Sequence, residues 1–307
     1  MVLSRYQFEL LSFVAENMPL KINKRFMADM LLLSDSCVMR EYLTLLEEGW
    51  LVEKNGYVYI KDKGLKVLEP FRVKRAVILA AGFGSRMMPA TADRPKPLVK
   101  VNGKRIIDTL LDALTGVGIQ HITIVRGYHK EKFDELLEKY PFLNFLDNDD
   151  YERTNNISSA VLLSDDFKGG SYLCEADLYI TNPAVIRKYQ YASNILGSYS
   201  LESDDWSYTM DEEGHIRNYK KGNRFCWNYY GISYWTPKDC EKLNHDWAEV
   251  YKKDKDVFWE QVPLQLKRDD YAVEVRPCQK QDIMEIDNYY ELCMLDASYP
   301  MKQECLR

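Results

Sequence analysis

The sequence lacks the hallmarks of several protein classes. Its seven cysteines are scattered and include no C-x-x-C pair, so neither a disulfide framework nor a zinc site is indicated. It has no long apolar run, and early charges at Arg5, Glu9 and Glu16 argue against a signal peptide or a transmembrane helix. We therefore predict a cytoplasmic protein with reduced thiols and no membrane insertion.

Strong charge of one sign is also absent. Lys and Arg number 41 against 47 Asp and Glu, a formal net charge of −6. The whole molecule therefore offers no strong attraction to nucleic acid or to an anionic membrane, and any DNA binding has to come from a local patch. Hydrophobic residues make up 46% of the 307 residues, which predicts one large domain or two unequal ones with packed cores.

Residues 1–73 are predicted to form a small α+β domain. Apolar residues at helical spacing indicate three helices, with Ser34 and Ser36 as candidate N-caps of the third helix and Gly49 at its end. A hairpin is then predicted around the turn at 54–56. The order of helix, helix, helix and hairpin resembles a winged helix-turn-helix domain.

The charges of this segment do not clearly indicate whether it binds DNA. Residues 1–75 hold 12 basic and 10 acidic residues, and the helix that would enter the major groove repels phosphate overall. This pattern favours an interaction or dimerisation module, compatible with a homo-oligomer, over sequence-specific DNA binding, which stays the alternative. The third helix carries one basic residue, Arg40, against four acidic ones: Asp35, Glu41, Glu47 and Glu48.

Residues 74–307 follow a different pattern, in which short Val- and Ile-rich strands alternate with amphipathic helices. This alternation predicts an α/β domain with a mixed, mainly parallel, Rossmann-like sheet covered on both faces. Ligands of such sheets bind at the carboxyl ends of the strands. The predicted strands and helices lie in the segments 76–82, 106–119, 121–127, 130–140 and 142–148.

A glycine-rich loop follows the first of these strands. Gly82 and Gly84 allow backbone N–H groups to approach phosphates. Met87 stands where the dinucleotide fingerprint has its third glycine, and a Walker A motif is absent. Residues 79–98 instead match the signature of the nucleotidyltransferase superfamily of nucleoside-diphosphate-sugar pyrophosphorylases, which the chain resembles over 75–295. The resemblance implies nucleotide binding by Leu79, Ala80, Ala81, Gly82, Gly84, Ser85, Arg86 and Lys96.

Two aspartates follow apolar strands, Asp177 after 171–176 and Asp287 in the segment 283–287. The resemblance implies that both bind Mg²⁺, which prefers carboxylate and phosphate oxygens. It also implies that Arg86, Lys96 and Asp177 are catalytic. The role of Glu175, two residues before Asp177, stays open.

The acceptor is indicated by aromatic residues, because 201–260 holds five of the six tryptophans. Aromatic faces beside a carboxylate suit a trimethylammonium group better than a sugar. Residues 154–163 resemble the bacterial CTP:phosphocholine cytidylyltransferases, and this resemblance places Asn155, Asn156 and Ser158 near the substrates. The candidate acceptor residues are Trp206, Tyr230, Trp259 and Glu260.

The resemblance implies Mg²⁺-dependent, in-line attack of phosphocholine on the α-phosphorus of CTP, giving CDP-choline and pyrophosphate. Three alternatives remain open: phosphoethanolamine or aminoethylphosphonate as the acceptor, a sugar 1-phosphate as the acceptor, and a transcription regulator that senses a nucleotide. Which of Lys220 and Lys221 matches the catalytic lysine of sugar enzymes is undecided, and a solvated surface pair is the simpler interpretation.

Overall fold

A computed structural model describes residues 3–300, so the predicted domain ends at 1–2 and 301–307 lie outside the described residues. The chain divides into two compact units. The first takes the residues up to 73 and, unlike the sequence prediction, also Lys188–Tyr191; the second takes the remainder. The added segment belongs to the first unit because Tyr189 is buried there and the N–H of Gln190 donates to the carbonyl of Phe71.

Within residues 3–300, three of the four helices of the first unit begin at a residue whose side chain caps the helix. At the first helix, Ser4 and Gln7 form a capping box. The third helix begins at Ser34, whose hydroxyl accepts from the N–H of Cys37, and the chain turns after it at Gly49 with a φ of +68°. The helices are α1 (Arg5–Glu16), α2 (Lys24–Leu31), α3 (Asp35–Glu47) and α4 (Asp62–Leu68).

A small sheet completes the first unit. Its strands are β1 (Leu20–Lys21), β2 (Leu51–Lys54) and β3 (Tyr57–Ile60), and their spatial order is β1-β3-β2. The predicted hairpin joins β2 and β3 through Asn55 and Gly56, which both have positive φ. Apolar residues from the helices and this sheet form one core, including Leu10, Leu11, Val14, Met27, Val38, Tyr42, Leu45 and Val58.

The second unit has a parallel sheet at its centre. Strand β4 (Arg75–Ala80) pairs in parallel with β7 (His121–Arg126) on one side and β9 (Ser171–Glu175) on the other, and β7 pairs in parallel with β8 (Asn144–Asp147). Almost every residue of β4 is buried, as expected for a strand covered on both faces.

Long antiparallel strands extend this sheet beyond β9. Strand β12 (Ile216–Trp235) pairs antiparallel with β9 and with β11 (Asn194–Met210), and β13 (Glu274–Pro277) lies parallel to β11. Within residues 3–300 the order of the resulting sheet is β13-β11-β12-β9-β4-β7-β8. The predicted mixed, mainly parallel α/β fold is confirmed.

Two short sheets lie beside the main one. One joins β5 (Lys100–Val101) to β6 (Lys104–Arg105), and the other joins β10 (Leu178–Ile180) to β14 (Ile283–Glu285). The second pair brings the chain after β14 back to the chain before β10, because Leu178 pairs with Glu285. The two predicted metal-binding segments are therefore neighbours in space.

The helices of the second unit cover the sheet. They are α5 (Ile106–Gly116), α6 (Ile157–Val161), α7 (Pro237–Lys253) and α8 (Tyr289–Leu295). Val77 and Leu79 of the sheet share a core with Ile157 and Trp247 of the helices. None of the helices in residues 3–300 is long and apolar enough to span a bilayer.

One predicted helix differs in type. The segment 130–140, expected to be a helix, forms a run of 3₁₀ turns over Lys130–Glu138 that begins after His129, whose φ is +47°. Phe133 and Leu136 are its buried residues. Because side chains three residues apart lie above one another in a 3₁₀ helix, this geometry buries both on one face.

Candidate active site

A cleft of about 1080 Å³ opens at the carboxyl ends of β4 and β9, the edge at which the sequence predicts ligand binding. All but one of the predicted site residues line this cleft. They are Leu79, Ala80, Ala81, Gly82, Gly84, Ser85, Arg86, Lys96, Asn155, Asn156, Ser158, Asp177, Trp206, Tyr230, Glu260 and Asp287.

The glycine-rich loop forms one wall of the cleft, directly after β4. Gly84 has a φ of +62°, and a Cβ atom there would lie 2.8 Å from Cβ of Lys96. The hydroxyl of Thr91 donates to the carbonyl of Gly84 and holds the loop in this conformation. Glycine is therefore required at 84 both by backbone geometry and by the close approach of Lys96.

The predicted cations and carboxylates meet in the middle of the cleft. Nζ of Lys96 lies 2.9 Å from Oδ2 of Asp177 and 3.3 Å from Oδ1 of Asp287. Both guanidinium Nη atoms of Arg86 lie within 3.3 Å of the Asp287 carboxylate. Burial opposes the charge of Lys96, but Asp177 and Asp287 outweigh it, so the pKa of Lys96 is raised and the ammonium stays charged.

A third carboxylate, that of Glu285, joins these two aspartates. Oxygen atoms of Asp177, Glu285 and Asp287 lie within 4.8 Å of one another. Enclosure by the cleft, followed by repulsion from Asp177 and Asp287, raises the pKa of Glu285 to about 8. Oδ1 of Asp177 is buried and has no hydrogen-bond partner among residues 3–300. A hard divalent cation such as Mg²⁺ fits this set of oxygens.

Glu175 extends the acidic region along β9. Burial, followed by repulsion from Glu260 and Asp177, raises its pKa well above the ordinary value. Its carboxylate accepts a long hydrogen bond, 3.4 Å, from the hydroxyl of Tyr229. A Cβ atom on Gly231 would lie 2.6 Å from Cδ of Glu175, so the glycine on the neighbouring strand makes room for this side chain.

Glu260 lies at the same end of the cleft. Its side chain is 3% exposed, and Oε1 accepts from the hydroxyl of Tyr219 at 3.2 Å. Oε2 has no partner within the described part of the chain. Burial raises the pKa of Glu260 to about 7. The acidic end, which we define as Glu175 and Glu260, therefore offers carboxylate oxygens whose hydrogen-bonding capacity is unused.

Aromatic rings surround the acidic end. Trp206 stacks on Tyr219 with a centroid distance of 4.8 Å and an interplanar angle of 14°. The ring of Phe258 lies 6.0 Å from that of Trp206 and also lines the cleft here, while Tyr230 lines another part of the cleft, where its hydroxyl contacts that of Ser198. Of the two lysines left undecided, Lys221 lines the cleft and lies 5.7 Å from the ring centroid of Trp206.

Trp259 is the predicted site residue that does not line the cleft. Its ring is fully buried and packs edge-on against Trp235 and Trp247. Adjacent residues point in different directions, so Glu260 reaches the cleft while Trp259 enters the core. This corrects the expectation that Trp259 contacts the acceptor.

The opposite end of the cleft, next to β8, is polar and uncharged. Nδ2 of Asn148 donates to the hydroxyls of Ser158 and Ser159, and the hydroxyl of Ser158 donates to the carbonyl of Asn155. Asn156 accepts from the N–H of Trp259 and so fixes the chain beside Glu260. These bonds join the predicted segment at 154–163 to both ends of the cleft.

Several residues of the cleft are absent from the sequence prediction: Phe83, Asn148, Tyr151, Ser159, Tyr229 and Glu285. Glu285 could have been predicted from the sequence. It is the last residue of the short strand β14 and lies two residues before Asp287, so the side chains of these two residues point to the same side. Phe83 lies inside the loop signature and Tyr229 in the aromatic segment 201–260, whereas Tyr151 carries no such signal, because its approach to the cleft depends on contacts between distant segments.

Comparison with known proteins identifies relatives of this chain. The profile of the nucleotidyl transferase family matches residues 75–194. The 2-aminoethylphosphonate cytidylyltransferase of Lancefieldella rimae is 34% identical over 228 residues, which cover 73% of this chain and 92% of that protein. The choline-phosphate cytidylyltransferase of Streptococcus pneumoniae is 30% identical, with coverage of 72% and 96%.

Solved structures share the fold of this chain. The structure of the CTP:phosphocholine cytidylyltransferase from Streptococcus pneumoniae superposes with a TM-score of 0.67 at 28% identity, covering 75% of this chain and all of that one. The inositol-1-phosphate CTP transferase of T. maritima, at 16% identity and a TM-score of 0.60, shares the fold. The signature loop, the sheet and these relatives together show that the chain belongs to the nucleotidyltransferase family.

Proposed function

We propose that this protein is a cytidylyltransferase that transfers CMP from CTP to the phosphorus oxyanion of a small molecule carrying a primary ammonium group, of the aminoethylphosphonate or phosphoethanolamine type. CTP is supported by relatives named for cytidylyl transfer at 34% and 30% identity. The acceptor class is supported by the acidic end of the cleft.

The single observation that carries this choice is the unpartnered Oε2 of Glu260. A buried carboxylate oxygen without a donor is costly, and a ligand that brings N–H groups removes that cost. A primary ammonium has three N–H donors, enough for Glu260 and Glu175 together. A trimethylammonium has none, and would leave the hydrogen-bonding capacity of both residues unused.

Phosphocholine is the second candidate acceptor. Trp206, Tyr219 and Phe258 form aromatic surfaces near the two carboxylates, and such surfaces attract quaternary ammonium groups. Relatives from Haemophilus influenzae and Streptococcus pneumoniae are named choline-phosphate cytidylyltransferases. The two candidates differ in whether hydrogen bonds or cation–π contacts dominate acceptor binding.

The proposed reaction needs orientation and charge stabilisation. An oxygen of the acceptor forms a bond to the α-phosphorus of CTP, while the bond from that phosphorus to the leaving pyrophosphate breaks and its electron pair stays on pyrophosphate. Lys96 and Arg86 stabilise the charge on the phosphates. The acceptor phosphate or phosphonate is already ionised, so no general base is required.

Asp177, Glu285 and Asp287 are the residues that would hold Mg²⁺ in this proposal. When bound there, the ion would neutralise phosphate charge beside the reacting phosphorus. Lys96 contacts Asp177 and Asp287 directly, and Arg86 contacts Asp287. The two basic side chains therefore orient the carboxylates and stand next to the position where the phosphates would bind.

The test is pyrophosphate release by the full-length protein with Mg²⁺. CTP, UTP and ATP are each combined with aminoethylphosphonate, phosphoethanolamine, phosphocholine and glucose 1-phosphate. The proposal expects the highest kcat/KM for CTP with a primary amine, and Glu260→Gln should reduce that value by about 10–100-fold, while Glu213→Gln on an exposed turn should not. Preference for phosphocholine would establish the second candidate, and preference for glucose 1-phosphate or no turnover would refute both.

A further inference from the structure

Three aromatic rings, one of which belongs to the glycine-rich loop, lie together where the loop meets the chain that follows β7. The ring centroid of Phe83 lies 5.2 Å from that of Tyr128 and 5.1 Å from that of Tyr151. We call Phe83, Tyr128 and Tyr151 the aromatic wall. Phe83 lies between the two loop glycines, lines the cleft and is 43% exposed.

Contacts with the loop hold the ring of Tyr128, and contact with Gly127 holds the ring of Tyr151. The hydroxyl of Tyr128 donates to the carbonyl of Thr91 at 3.0 Å, and its backbone N–H donates to the carbonyl of Ala81. Tyr151 packs directly on Gly127, where a Cβ atom would lie 2.8 Å from the ring. Phe83 therefore has a fixed backing of two rings, while part of its own surface faces the cleft.

The order of strands separates the aromatic wall from the acidic end. The loop follows β4, which has β9 on one side and β7 with β8 on the other. Glu175 belongs to β9, whereas Gly127 and Tyr128 directly follow β7. The β7 side of the cleft therefore offers aromatic rings and amide groups to a polar, uncharged part of a ligand that also carries phosphates. The β9 side offers carboxylates instead.

We propose that Phe83 stacks on the nucleobase of the bound nucleotide, with Tyr128 and Tyr151 as its support. This inference rests on the proposed function for the presence of a nucleotide, and adds where and how the base is bound. Every nucleobase has a π face, so stacking supplies affinity without choosing the base. The residue therefore contributes to nucleotide affinity, separately from acceptor binding at Glu260.

The test is direct binding of CTP to the full-length protein, measured by calorimetry, together with KM for CTP and for the acceptor. Phe83→Ala should raise the Kd for CTP by about tenfold or more. Phe83→Leu, which keeps the apolar bulk but has no π face, should also weaken CTP binding. Phe83→Tyr, which keeps an aromatic ring, should bind CTP as tightly as the wild type. Phe225→Ala, at an exposed phenylalanine outside the cleft, is the matched control and should change nothing.

The outcomes separate this inference from the proposed function. Wild-type affinity for CTP in Phe83→Ala or in Phe83→Leu would overturn the stacking role, as would an increase confined to the KM of the acceptor. If the wild-type chain prefers another nucleoside triphosphate, cytidylyl transfer is refuted, and the same variants measured with that nucleotide still decide the role of Phe83. A chain that binds no nucleoside triphosphate overturns both.

Discussion

Lys96 donates a 2.9 Å hydrogen bond to Asp177, joining two residues that stand 81 positions apart in the chain. Lys96 is 8% exposed, and its charge is maintained by Asp177 and Asp287. Removing either carboxylate leaves a buried ammonium with less compensation. The pair therefore connects the proposed phosphate site to the proposed cation site, and each depends on the other for its charge.

The first prediction concerns Asp177→Asn. The variant keeps the volume of the side chain but loses the charge that faces Lys96, so we expect a folded protein whose kcat falls by about 100-fold or more. Turnover measured by pyrophosphate release, with circular dichroism for the fold, checks this. Asp149→Asn at an exposed carboxylate is the control, and near wild-type turnover in Asp177→Asn would refute the assignment.

The second prediction concerns pH and Glu260. Its pKa is raised from 4.5 to about 7, so between these values the folded protein holds a proton that the unfolded chain has released. Stability therefore falls as the pH rises through this window and stays lower above it. Above pH 7, Glu260→Gln should be more stable than the wild type by on the order of 3 kcal/mol.

Urea denaturation at a series of pH values measures this difference. The gap between Glu260→Gln and the wild type should close as the pH falls towards 4.5, because the Glu260 carboxyl of the folded wild type is then protonated and uncharged, like the amide of the variant. Glu213→Gln, at a carboxylate that is 79% exposed, is the control and should follow the wild type. Parallel profiles for Glu260→Gln and the wild type would contradict the assignment of an unpartnered buried carboxylate.

The third prediction concerns Gly231→Ala. The added methyl group would lie 2.6 Å from Cγ and Cδ of Glu175, so the side chain must move. We expect destabilisation of about 1–3 kcal/mol and a higher KM for the acceptor. Thermal unfolding and steady-state kinetics measure both effects. Gly116→Ala, which meets no atom within 4 Å, should be neutral or stabilising, and an equally mild effect at 231 would be incompatible with this geometry.

The fourth prediction concerns DNA and the first unit. On the surface of α3, the apolar Met39 and Leu43 are exposed between Asp35 and Glu47, and the guanidinium of Arg40 contacts Glu41. Such a surface neutralises few phosphates. We therefore expect a Kd no lower than about 10⁻⁶ M for the DNA upstream of the protein's own operon. Electrophoretic shift assays across a salt series test this, and tight binding that weakens steeply with salt would support the regulator alternative.

The sequence was sufficient for the residues that depend on a motif of fixed spacing. Arg86 and Lys96 lie in the loop signature, and Asp177 and Asp287 were expected from the resemblance to the nucleotidyltransferase family rather than from the strand ends alone. The structure brings all four together. It also confirms the mixed α/β fold, because the alternation of strands and helices is a local pattern that survives in the folded chain.

Properties that depend on side-chain direction were beyond the sequence. The aromatic density at 201–260 correctly indicates rings near Glu260, but it does not separate Trp206, which lines the cleft, from Trp259, which is buried in the core. The contact of Phe83 with Tyr151 joins segments on different strands and depends on the missing side chain at Gly127. Neither can be read from local periodicity.

The sheet order has a consequence for the evolution of such proteins. The aromatic wall follows β4, β7 and β8, whereas the acidic end belongs to β9 and to the chain beyond β12, so the two ends of the cleft are built from different segments of the chain. A lineage could exchange one acceptor for another through changes near Glu175 and Glu260 alone. New products could thus arise on an unaltered donor site, and laboratory selection for new acceptors should concentrate its mutations there.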